Sequence, residues 1–208
     1  MKIAVVAEDD LKEELIAQGI IEDRKVQWLK EITVLQDIEA YIDLSFTHNA
    51  IRIEELKKLS PALIIINSVT DTLFEFPQNF VRINGWSSFL KRPIAEIACV
   101  NDENKAITEK IFACFNKTVE WVPDIPGFIS ARIVSMIINE AYFTLQEGVS
   151  SKEEIDIAMK LGTNYPFGPF EWSKKIGLKS VYGLLSQLAE TDNRYEPAAL
   201  LKKEATYK

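Results

Sequence analysis

Residues 124–169 read DIPGFISARIVSMIINEAYFTLQEGVSSKEEIDIAMKLGTNYPFGP, and they constrain the fold more than any other stretch of the chain. Apolar side chains fall at positions 128, 129, 133, 134, 136, 137, 138, 141, 142 and 145. That is helical spacing, but with more apolar positions than one stripe can hold, so the helix after Pro126 is expected to be buried on several sides. Two readings of it are open: the central helix of a helical domain, or a helix that also turns one face to a second subunit. A second helical pattern follows, and the Asn164-Tyr165-Pro166-Phe167-Gly168-Pro169 run then forces a rigid turn.

The first half of the chain has a different period. Ile3 to Ala7 is a short apolar run that leads into a helical pattern from Leu11 to Ala17, with a stop at Gly19. Val26 to Leu29, Tyr41 to Phe46 and Ala62 to Asn67 read as strands, with a helix over 51–59 between the last two. Val81 to Asn84, Ile94 to Val100 and Val119 to Val122 add three more strands, with a helix over 104–115. Strands alternating with helices predict a mostly parallel, doubly wound sheet. Pro123 to Pro126 punctuates the chain, which places a domain boundary between 1–123 and 124–208, because an X-Pro step starts a helix well and continues a strand badly.

Composition excludes several classes of function. With 47% hydrophobic residues the chain can bury a core, and a net charge of −7 without a Lys/Arg cluster argues against nucleic acid as a partner. The longest apolar run, around 133–143, is interrupted by Asn139 and Glu140, so no membrane span is expected. Cys99 and Cys114 lack metal-ligand spacing and read as buried free thiols. With no signal pattern at the start of the sequence, the cytoplasm is the expected compartment. No metal site is expected.

Five ordered elements carry a family resemblance: Pro126-Gly127-Phe128, Ile138 to Ala141, Glu147 to Val149, Ile155 to Trp172, and Arg194 to Pro197. In this order they resemble the C-terminal domain of the 3-hydroxyacyl-CoA dehydrogenases. The resemblance implies an α/β Rossmann-like N-terminal domain, truncated here, followed by an all-α domain of the 6-phosphogluconate-dehydrogenase-like type. It also implies NAD as cofactor, a 3-hydroxyacyl-CoA substrate in fatty acid metabolism, and a homodimer made through the helical domain.

The residues that would carry this chemistry are changed. The family's GxGxxG turn, which lets a pyrophosphate approach backbone N–H groups, falls on Ala7, Asp9 and Lys12, with Glu8 and Asp10 beside them. Asp10 and Glu13 have capping-box spacing, so the chain's own carboxylates are expected at that helix start. The acidic residue that holds the adenosine ribose would fall near Lys30 or Glu31. Between the first strand and Leu63 there is no room for the helical hairpin that clasps the CoA tail.

Of the implied catalytic set, the Ser position falls on Val69, although a one-residue shift offers Ser68 or Thr70 instead. The His position is Asn84, the Asn position is Ala131, and only the glutamate, Glu96, is retained. An amide cannot take a hydroxyl proton, and loss of a general base costs about 10²–10⁴-fold in rate. Glu96 then reads as inherited packing or as a partner of Arg82 or Arg92, and His48, the sole histidine, as a strand-end residue. Three functions follow: a homologue that has lost NAD binding and catalysis and serves as a dimerising subunit or the partner of an active paralogue; a divergent active dehydrogenase; or an acyl-CoA or small-ligand binding module. The first expects no cofactor, and the second requires NAD.

Overall fold

The computed structural model describes residues 1–21 and 23–207, which form two compact units, Met1–Phe128 and Ile129–Lys208. In the first unit, strands β1 (Ile3–Val6), β2 (Val26–Leu29), β3 (Ala40–Asp43), β4 (Leu63–Asn67), β5 (Phe80–Ile83), β6 (Ile94–Cys99) and β7 (Thr118–Trp121) make one sheet in the order β2-β1-β3-β4-β5-β6-β7. All neighbours are parallel except β5 and β6, which run antiparallel. The doubly wound expectation holds, with this one reversal.

The sheet is buried on both faces because its strands alternate between two cores. Ile3, Val5, Ile42, Leu63 and Ile65 face one core, while Ala4, Tyr41, Ile64 and Ile66 face the other. Register keeps the layers intact, since Ile3 lies beside Ala40 and Ala40 beside Leu63. Helices α1 (Asp9–Leu15) and α3 (Asn104–Ala113) cover the first core through Leu15, Ile111 and Phe112, and α2 (Ala50–Lys57) covers the second through Leu56. Among the described residues only α1, a 3-10 turn at Asp23–Lys25 and α2 lie between β1 and β4 as helical segments. Cys114 is buried as expected, whereas Cys99, at the end of β6, is half-buried.

The second unit comprises α4 (Ser130–Gln146), α5 (Lys152–Thr163), α6 (Pro169–Ile176), α7 (Leu178–Ala189) and α8 (Ala199–Thr206), with a 3-10 turn at Asn193–Tyr195 before α8. Ser151 and Glu154 close a capping box on α5, and Asn164 ends that helix in the left-handed region. Asp156 Oδ1 accepts a hydrogen bond from Phe170 N at 2.8 Å, and Glu171 Oε2 accepts one from Gly168 N at 2.9 Å, so two carboxylates satisfy the start of α6. Pro169 fits the first turn, where no donor is missed. Gly168 is required by space: a Cβ there would sit 2.2 Å from Asp156 Oδ1. Asn139 ties α4 to the chain before α8, donating to Glu196 O at 2.9 Å and accepting from Ala198 N at 2.8 Å.

The expectation that α4 is buried on several sides is corrected. Val134, Ile138, Ala141 and Tyr142 are buried, but Ile129 and Ile133 are 47% and 53% exposed. The chain supplies a core for one stripe only. No helix among the described residues is long and apolar enough to cross a membrane.

Candidate functional site

The turn from β1 into α1 carries the residues aligned with the glycines. Glu8 occupies the N-cap of α1 and makes no side-chain capping bond. The expected Asp10–Glu13 capping box is absent: α1 begins at Asp9, and Asp10 Oδ1 accepts from the adjacent Leu11 N at 2.9 Å. The turn is bridged instead by Lys30, just beyond β2, whose Nζ lies 2.6 Å from Asp9 Oδ1 and 3.8 Å from Glu8 Oε2. This hydrogen bond holds Asp9 below its ordinary value and raises Lys30. Lys12 lays its ammonium 4.8 Å from the centre of the Trp28 ring. Lys30 therefore adds a cation that ties the acidic turn together, while Glu31 is exposed.

At the far end of β4, Asn67 positions the next strand. Its Oδ1 accepts from Gly85 N at 3.0 Å and its Nδ2 donates to Leu44 O and Gly85 O at 3.1 and 3.2 Å. A Cβ at position 85 would meet the Asn67 side chain at 2.6 Å, so any larger residue there must displace this amide. Val69 is buried and its carbonyl accepts from Gly127 N at 2.8 Å. The neighbouring hydroxyls, Ser68 Oγ and Thr70 Oγ1, both lie 3.4 Å from Asp71 Oδ2. Asp71 also lies 3.1 Å from His48 Nδ1, and the His48 ring stands against Phe46 and Phe76.

Asn84 and Glu96 meet. Asn84 Nδ2 donates to Glu96 Oε2 at 3.1 Å, and the two residues are 3% and 5% exposed. Glu96 Oε1 lies 3.5 Å from Arg92 Nη2, which selects Arg92 from the two expected partners. Because a carboxylate only accepts, the amide must turn its Nδ2 to Glu96, and Asn84 Oδ1 is left buried with no hydrogen-bond partner. Ala131, aligned with the catalytic Asn, is fully buried in the first turn of α4, in the second unit.

Several residues shape this region in ways the sequence did not indicate. Arg82 is fully buried in β5: Nε donates to Asp124 Oδ1, Nη1 to Ser68 O at 3.1 Å and Nη2 to Ile125 O at 2.5 Å. Burial pulls its guanidinium below the usual arginine value, and Asp124 opposes this. The segment after Asn84 is held from two more sides. Glu14 on α1 accepts from Ser87 Oγ at 3.0 Å and from Ser88 N at 2.8 Å. Buried Lys117 donates to Leu90 O and, at 2.7 Å, to Arg92 O. Among the described residues no group of three His, Cys, Asp or Glu could hold a metal ion.

The doubly wound sheet and the five-helix unit that follows it both have counterparts among known proteins. Residues 127–208 match the family model for the 3-hydroxyacyl-CoA dehydrogenase C-terminal domain. The chain is 45% identical over 91 residues to 3-hydroxyadipyl-CoA dehydrogenase of Escherichia coli, an alignment covering 43% of this chain and 19% of that protein. It is 27% identical over 216 residues to 3-hydroxybutyryl-CoA dehydrogenase of Bradyrhizobium diazoefficiens, covering 93% of this chain and 74% of the relative. The solved structure of (S)-3-hydroxybutyryl-CoA dehydrogenase from Ralstonia eutropha superposes with a TM-score of 0.76 at 21% identity, covering 97% of this chain and 92% of that one, a likeness of fold. Residues 127–208 thus form a domain of the 3-hydroxyacyl-CoA dehydrogenase C-terminal type.

Proposed function

We propose that this chain is a 3-hydroxyacyl-CoA dehydrogenase homologue that has lost NAD binding and hydride-transfer catalysis, and that it serves as a dimerising or partner-binding subunit. The observation that carries this reading is the bridged acidic turn: Asp9, in a glycine position, is bonded to Lys30 at 2.6 Å, with Glu8 at the N-cap of α1. A pyrophosphate needs open backbone N–H groups there. Each carboxylate within several ångströms opposes it by about 1–4 kcal/mol at partly wet dielectric values. The residues present do not fit the cofactor, and no hydride step is derived through it. The Asn84–Glu96 pair supports the same reading, because an amide in the base position cannot accept the hydroxyl proton.

Calorimetric titration with NADH tests this directly. No binding is expected at sub-millimolar cofactor, and micromolar affinity would overturn the proposal. The buried, unpartnered Asn84 Oδ1 favours a second reading, a small-ligand binding module without redox chemistry, in which that oxygen accepts a hydrogen bond from a ligand hydroxyl. A rise in melting temperature with acetoacetyl-CoA but not with NADH would favour it. If NADH oxidation dependent on acetoacetyl-CoA runs above background and Glu96→Gln abolishes it, the chain is instead an active divergent dehydrogenase.

A further inference from the structure

Three aromatic rings of the first unit meet at one end of its sheet. Phe46 and His48 lie between β3 and α2, and Phe76 lies between β4 and β5. Both connections leave the carboxyl ends of parallel strands, the end at which doubly wound sheets hold ligands. The ring centroids are 6.2 Å apart for Phe46 and Phe76, 5.9 Å for His48 and Phe76, and 6.3 Å for Phe46 and His48. The corresponding planes are inclined by 63°, 67° and 47°, so the rings stand as walls of a corner. A cation about 4.5 Å in front of two such faces holds their centroids about 6 Å apart. Phe76 packs on buried Phe80, whereas His48 is exposed and Phe46 is half-buried, so solvent reaches the corner. Phe74 is 89% exposed on the turn closed by Phe76 N and Leu73 O, and it adds an unburied ring two residues from Phe76.

Charge defines what the corner takes. Trp28, Phe89, Trp121 and Phe128 of the same unit each hold a lysine or arginine of this chain against the ring. Among the described residues, no lysine or arginine stands over Phe46 or Phe76. Carboxylates gather there instead: Asp71 Oδ1 lies 3.1 Å from His48 Nδ1, and exposed Glu75 separates Phe74 from Phe76. Arg52, on α2, is committed to Asp43 by two bonds of 2.8 Å. A neutral imidazole that donates its Nδ1–H to a carboxylate keeps an electron-rich face, and in that form His48 is the third wall. Ring faces attract positive charge but accept hydrogen bonds poorly, which favours an alkylated ammonium over a primary one. From this we infer that the Phe46–His48–Phe76 corner binds a quaternary ammonium group, with Phe74 as an outer wall and Asp71 as the counter-charge. None of Ala7, Asp9, Val69, Asn84 or Glu96 takes part, so this site stands independently of the reading of the chain as a subunit without catalysis.

An NMR shift titration of the full chain with choline chloride, against sodium chloride at equal ionic strength, tests it. Amides of residues 46–49 and 71–76 should shift saturably, with a dissociation constant of about 1 mM or below. The uncharged isostere 3,3-dimethylbutanol should bind about ten-fold more weakly or worse. Phe74→Ala alters an exposed ring and Asp71→Asn keeps the side-chain shape, so both should fold, as their own spectra verify. Each should weaken choline by about three-fold or more. His48→Phe retains a wall and should still bind. A peptide carrying trimethyl-lysine separates the two sources of this group: tighter binding than choline points to a methylated protein tail, and equal binding to a free quaternary amine. No saturable shift at about 20 mM choline, an alcohol that binds as well as choline, or affinity untouched by Phe74→Ala and Asp71→Asn would overturn the proposal.

Discussion

Asn84 and Glu96 share one buried hydrogen bond, amide to carboxylate, at 3.1 Å. The bond depends on the amide being a donor. Asn84→Asp keeps the shape and replaces the donor with a second carboxylate facing the first, so one of the pair must stay protonated in the fold. A carboxyl whose folded value lies above its unfolded value loses stability as pH rises through that folded value. The variant should therefore unfold near wild type at pH 4 and be destabilised by about 3 kcal/mol at pH 7.5, the scale expected for breaking a buried polar pair. Urea midpoints measured at both pH values check this, and a difference independent of pH would count against the contact.

Lys117 supplies a pH dependence of opposite sense. It is 4% exposed, and burial pulls its ammonium down to about 8 while Glu14 pulls it up. Between that value and the ordinary lysine value near 10.5, the unfolded chain binds more protons than the folded one, so stability rises with pH. Relative to Lys117→Met, the wild type should gain stability from pH 7.5 to 10. A flat difference across that window would show that the two carbonyls hold the ammonium at its usual strength.

Gly168 has φ −73°, open to any L-residue, so the cost of Gly168→Ala comes from space rather than backbone strain. The new methyl would collide with the Asp156 carboxylate, and a loss of about 1–3 kcal/mol is expected. In an Asp156→Gly background, which also removes the Asp156 Cβ that the methyl would meet at 2.4 Å, the same substitution should cost much less. A double-mutant cycle on thermal unfolding measures the coupling, and strict additivity would rule out the steric account.

What could be read from the sequence was what neighbouring residues decide. Val26 to Leu29 reads as a strand in the sequence, and it forms β2 over those same residues. Asn84 and Glu96 meet because β5 and β6 pair antiparallel, a contact that no local pattern announces. The Asp10–Glu13 box failed because its spacing is local, whereas the partner that organises the turn, Lys30, arrives from the next strand. The burial of Arg82 and its bond to Asp124 were equally hidden. A charged residue in a strand suggests an exposed edge, and its complete burial depends on a carboxylate and main-chain carbonyls contributed by residues 68, 124 and 125. The reversal between β5 and β6 leaves no mark in an apolar pattern, since a strand alternates alike in either direction.

In the helical half, Asp156 and Asn139 spend their hydrogen bonds on main-chain groups of α6 and of the segment before α8, not on any reactant. Selection for folding alone is enough to maintain them. Similarity concentrated there is a record of ancestry, and it persists whether or not the chemistry is kept. A survey of related chains would separate working enzymes from silent ones by reading the positions equivalent to 7, 9, 12 and 84, where this chain has Ala, Asp, Lys and Asn.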